Sequence, residues 1–132
     1  MIQIPQSIFD GIVQQAKNEL PNEACGLLAG LNDKVVKHFP LTNADASPEH
    51  FSFVPAEQFQ TLRAARLEGL SILANYHSHP ATPARPSQED IRLAYDPNIV
   101  YLILSLAGEQ PELKGFSIRS GEVLPITIQI VA

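Results

Sequence analysis

The sequence predicts an α/β fold, a single mixed β-sheet flanked by helices. Three observations carry that expectation. Apolar runs of strand character outnumber segments of helical period. The last three such runs, residues 99–106, 113–119 and 123–131, follow one another closely enough to form an antiparallel meander. A length of 132 residues suits one layered domain spanning residues 1–132, in which helices cover the sheet.

Residues 1–4 are the first strand candidate. Ser7 is placed to cap a helix carrying Ile8, Ile12, Ala16 and Leu20 on one face, which Pro21-Asn22 ends. Residues 23–29 turn apolar at once and are too few for a helix between Pro21 and Gly30, so a buried strand is expected. Asn32-Asp33 turns the chain back into a strand over residues 34–41. A polar loop covers residues 42–50, and residues 51–54 resume a strand. Pro55 suits the first turn of a helix ending at Gly69, with Phe59, Leu62 and Ala65 toward the core. Residues 70–76 read as a buried strand whose carboxyl end opens into a loop at His77, the place where open α/β sheets put their sites. Ser87 starts a helix over residues 88–95, stopped by Asp96-Pro97. The meander follows, with Ser120-Gly121 joining its last two strands.

Composition narrows the function. A formal net charge of -5 and a pI near 5.2 argue against nucleic acid, whose phosphates demand a basic face. Cys25 is the only cysteine and cannot form an internal disulfide, and no basic-then-apolar export signal opens the chain, so a cytoplasmic location is the default expectation. The longest apolar run, residues 99–106, is far short of the ~20 residues that span a bilayer.

The chemistry concentrates in His77-Ser78-His79-Pro80 and Pro86-Ser87-Gln88-Glu89-Asp90. In an extended segment, side chains two apart point the same way, so His77 and His79 can converge on one ion. Asp90, eleven positions after His79, is the nearest carboxylate on a segment with a reason to be ordered. Two imidazoles and one carboxylate leave a tetrahedral ion one open corner, the mark of catalytic rather than structural zinc. Ser87 and Asp90 also read as a helix capping pattern, worth about 1 kcal/mol, and the two readings are compatible. Neither H-E-x-x-H nor a deaminase P-C-x-x-C is present, which disfavours those zinc chemistries.

In that order, Glu23-Ala24-Cys25-Gly26-Leu27-Leu28, then His77, His79 and Pro80, then Ser87 and Asp90, the chain resembles the JAMM (MPN-plus) zinc metallopeptidase domains. Residues 43–53, the helix after Pro55, Ser105 and residues 111–116 are similar to the small bacterial branch, so the likeness spans nearly the whole chain. It implies a mixed sheet with flanking helices, related in architecture to the cytidine deaminases. It also implies Zn2+ held by His77, His79 and Asp90, Glu23 as the general base, and the Ser87 hydroxyl on the oxyanion. The implied substrate is a ubiquitin-like sulfur-carrier protein, cut after its C-terminal Gly-Gly. The family often has Gly-Trp just before the first histidine. Asn75-Tyr76 occupies those places here, which implies altered cleft packing with the metal retained.

Other readings stand beside this one. The chain could be a non-catalytic MPN-type module that binds a ubiquitin-like partner, or a zinc peptidase for ordinary short peptides. His38 and His50 read as surface or satisfied core residues, Glu89 as solvent-facing, and Cys25 as a small core hydrophobe rather than a nucleophile.

Overall fold

The computed structural model describes all residues, Met1–Ala132, as eight strands and three helices. They run β1 (Ile2–Pro5), α1 (Gln6–Glu19), β2 (Cys25–Leu31), β3 (Lys34–Leu41), α2 (Pro55–Leu67), β4 (Ser71–His79), α3 (Gln88–Arg92), β5 (Val100–Ser105), β6 (Glu112–Arg119), β7 (Glu122–Ile126) and β8 (Ile128–Val131). All eight strands join one sheet in the order β7-β6-β5-β4-β2-β3-β1-β8. β4 is parallel to β5 and antiparallel to β2, and β5, β6 and β7 form the expected meander. No helix is long and apolar enough to cross a membrane.

The two faces of the sheet have different work. Ile2, Ile4, Leu28, Ala74, Tyr76, Leu102 and Leu104 bury one face together with Ile12 and Ala16 of α1. Ile103, Phe116 and Ile118 line the other with Ala84, and Ile91 packs against them. Strand alternation therefore sends Ala74 and Tyr76 toward α1, and Asn75, His77 and His79 to the opposite side.

Several boundaries differ from the expectation. Ser7 is not the cap of α1. The helix begins at Gln6 directly from Pro5, whose φ of -59° already suits helical entry, and no side chain caps it. Glu23 and Ala24 precede β2 rather than lying in it, and residues 51–54 form only an isolated bridge, Phe53 to Asn43. On α2 the buried residues are Thr61 and Ala65, while Phe59 and Leu62 are 66% and 42% exposed. Small side chains are buried against the sheet there, while Leu62 borders a cavity and Phe59 is exposed. The third helix stops at Leu93, well before Pro97, where the Ala94 N–H turns onto the Ile91 carbonyl. The last apolar run is two strands: after Ile126 the chain leaves β7 and pairs in parallel with β1 at the far edge of the sheet.

Behind β4 a half-buried polar chain meets the core at Tyr76. The Tyr76 hydroxyl donates to Gln15 Oε1, and the Gln15 amide donates to the Cys25 carbonyl at 2.9 Å. The tyrosine proton being committed, His38 Nε2 is the donor in its 2.6 Å bond to the same hydroxyl. Gly26 makes room for this, since a Cβ there would lie 2.2 Å from the Tyr76 oxygen. Burial pushes the His38 imidazole down from 6.5 to about 4. A histidine depressed in the folded state adds stability that is fully present above 6.5 and is lost as pH falls toward 4. His38→Gln should therefore flatten the acid side of the melting-temperature profile relative to wild type. Parallel profiles of the two proteins across that window would show that His38 carries none of the acid sensitivity.

Candidate metal centre

His77 and His79 are both on β4, which continues through them instead of ending at Tyr76 as expected. His77 is paired with β2 and β5 on both sides, and His79 with Ser105 of β5. Both side chains are buried, and their Nε2 atoms lie 3.1 Å apart. Asp90 Oδ2 is 3.2 Å from each of them. A tetrahedral ion with bonds of about 2.0 Å has ligand–ligand edges of about 3.3 Å, so these three atoms outline one face of such a site.

The surrounding hydrogen bonds set the donor atoms. His79 Nδ1 is 2.8 Å from the Pro83 carbonyl, which only accepts, so Nδ1 carries the proton and Nε2 of the neutral ring presents its lone pair. Pro83 belongs to the proline-studded loop, whose Thr82 carbonyl accepts from Ser105 Oγ at 2.7 Å. Phe51 stacks on the His77 ring with centroids 4.7 Å apart and fixes its plane. Asp90 is held by the capping box of α3: Oδ2 accepts from the Ser87 N–H at 2.9 Å, and Ser87 Oγ accepts from the Asp90 N–H at 3.0 Å. The cap and ligand readings of Ser87-x-x-Asp90 are thus met by the same atoms.

Protonation follows from these contacts. Burial alone would raise the Asp90 carboxyl, but its bonds to His77 and His79 outweigh this and hold it well below the usual carboxylate range. Burial lowers His77, against the pull of Asp90. For His79, burial is outweighed by Asp90 and the Pro83 carbonyl, which raise it. An ionised carboxylate and two imidazoles aimed at one point are a divalent-cation donor set of the oxygen and nitrogen type that zinc accepts.

Glu23 lies beside this triangle. The β2–β4 register pairs Cys25 with His77, and the bonds between Ala24 and Ser78 extend it, bringing Glu23 to the level of His79. Its side chain is only 3% exposed, and Oε1 is enclosed without a hydrogen-bond partner. Leaving such an atom unpaired costs about 1–3 kcal/mol, a sign of a role other than stability. Burial, opposed by His79 and reinforced by Asp90, pushes its carboxyl up to about 8. Asn43, which the sequence left in a polar loop, anchors this residue: its amide donates to the Glu23 carbonyl at 3.0 Å and the His50 carbonyl at 3.1 Å.

The sequence expectation misplaced two neighbours and missed two. Tyr76 is in the core on the far side of the sheet, so of this pair only Asn75 lines the cleft. Glu89 is not simply solvent-facing. It pairs with Arg92 at 3.6 Å and lines the cavity that also contains His77 and Asp90. Phe51 and Asn43 were missed as site residues, because nothing in their spacing distinguishes them from loop polar and strand residues. His38 and His50 are both satisfied, the latter by Asp45 at 2.9 Å. Cys25 is buried, and burial pushes its thiol up to about 12, which suits a core residue rather than a nucleophile.

The family of prokaryotic homologs of the JAB domain matches residues 5–119, a span that contains every residue of this centre. The chain belongs to that family. Among relatives of this JAB-family chain, the CysO-cysteine peptidase of Mycobacterium tuberculosis is 34% identical over 131 residues, covering 97% of this chain and 90% of the relative. The probable TtuB-protein conjugate cleaving protease of Thermus thermophilus is 31% identical over 129 residues, covering 97% and 83%. A Desulfitobacterium hafniense protein with a solution structure superposes with a TM-score of 0.91 at 46% identity, covering 99% of this chain and 93% of its own. The mixed sheet with flanking helices is therefore the architecture of a solved relative.

Proposed function

We propose that this chain is a zinc metallopeptidase that hydrolyses the amide bond after the C-terminal Gly-Gly of a ubiquitin-like sulfur-carrier protein, and that residues 1–132 form its catalytic domain. The observation that carries the reading is the triangle of His77, His79 and Asp90 beside a buried, unpartnered Glu23. Relatives named as a CysO-cysteine peptidase and a TtuB-protein conjugate cleaving protease support the substrate class. A cytoplasmic setting, where a lone thiol such as Cys25 stays reduced, suits the same reading.

His77, His79 and Asp90 would hold the zinc, which when bound supplies Lewis acidity toward a carbonyl oxygen and toward water. Glu23 accepts the proton of the attacking water and passes it to the departing amine, a role open to a carboxylate enclosed beside the triangle with an oxygen that has no other partner. Ser87 Oγ already accepts a bond from the Asp90 N–H, so its own proton is free to donate to the developing oxyanion. The Ser87 N–H and the Pro83 carbonyl keep Asp90 and His79 oriented throughout.

The test is incubation of metal-loaded protein with a carrier bearing a C-terminal extension. Cleavage after Gly-Gly, abolished by a chelator and restored by zinc, is the expected result. Binding without cleavage would make the chain a recognition module, and cleavage of unrelated short peptides at equal rates would make it a general peptidase.

A further inference from the structure

The cavity beside His77 contains a polar group that no part of the chain satisfies. Asn75 precedes His77 by two positions on β4, so the two side chains leave the same face about 7 Å apart. Its neighbours across the sheet are Leu27 on β2 and Tyr101 on β5. The cavity, about 470 Å³, is further walled by Ile72, Leu62 and Ile103. Among these apolar and aromatic groups, Asn75 Oδ1 is enclosed without a hydrogen-bond partner. A β-branched aliphatic residue would suit both the strand and its neighbours better, so folding does not account for an amide here.

We propose that Asn75 is a specificity-determining residue whose amide pairs with a peptide group in the extended tail of the carrier, about two residues to the acyl side of the bond that is cut. This rests on the peptidase reading above. An extended chain advances about 3.3 Å per residue, so a tail laid along β4 from the level of His77 brings a peptide group two residues away to the level of Asn75. A side-chain amide offers both a donor and an acceptor, which is what a peptide group needs when it leaves water for an apolar cavity. The acyl side is the part of the substrate that stays constant while the released group varies, so a fixed polar contact serves recognition there.

The experiment compares wild type with Asn75→Val and the smaller Asn75→Ala, each loaded with zinc, on two carrier conjugates: one releasing a single amino acid, the other a longer peptide. The expected result is a KM raised about tenfold in both variants and on both conjugates, with kcat and zinc content unchanged and the melting temperature of Asn75→Val at or above wild type. Unchanged KM in both variants, with wild-type cleavage intact, defeats this inference alone. A lower melting temperature in both variants assigns the amide to the fold and overturns it. A KM effect confined to one conjugate places Asn75 on the released side and overturns the acyl assignment. Wild-type protein that neither binds nor cuts either conjugate defeats the peptidase reading, and this inference with it.

Discussion

Glu23→Gln is expected to reduce carrier cleavage by about 10²–10⁴-fold while leaving zinc content at the wild-type level. The change keeps the side-chain volume and removes only the proton acceptor, and Glu23 is not one of the three converging donors. It also replaces a buried carboxyl, with an unpaired oxygen, by a neutral amide, so the melting temperature should hold or rise. Metal analysis beside single-turnover cleavage checks both halves. Turnover near the wild-type rate would remove Glu23 from the proton path, and loss of zinc would make it a ligand.

His77→Ala should bind zinc at least about 100-fold more weakly and lose cleavage with it, since one corner of the donor triangle disappears and Phe51 loses its stacking partner. Asp90→Asn provides the complementary measurement. An asparagine oxygen can still accept the Ser87 N–H, so the start of α3 and the melting temperature should survive while the anionic ligand is lost. Equilibrium zinc competition on the two variants distinguishes the roles. If Asp90→Asn held zinc as tightly as wild type, Asp90 would be a capping residue only.

Much of this site can be read before any coordinates. His-x-His on a strand and Ser-x-x-Asp at a helix start state their geometry in their spacing, because strand alternation and capping are local rules. The turns at Asn32-Asp33 and Ser120-Gly121 were equally legible, and all four residues have positive φ. Tertiary context decided the rest. Phe59, Leu62 and Ala65 looked like the core face of α2, but of these only Ala65 is buried, beside Thr61, while Leu62 borders the cavity and Phe59 is exposed. Residues 123–131 read as one strand because a sequence shows apolar runs, not which edge of a sheet will receive them. Asn43 and Phe51 reach the site through a loop whose path is set by contacts distant in sequence.

That final departure to the far edge has a consequence for biogenesis. Four residues of β1 align with four of β8, Ile2 opposite Ile128 through Pro5 opposite Val131, whereas β1 meets β3 at a single position, Gln3 with Lys34. β1 thus gains most of its ladder only from β8, a strand far along the chain from it. Closing a loop of that length is among the slower contacts a chain can make. Nascent molecules should accordingly carry an unfinished margin until β8 has been made, and that margin is where chaperones would have most to protect.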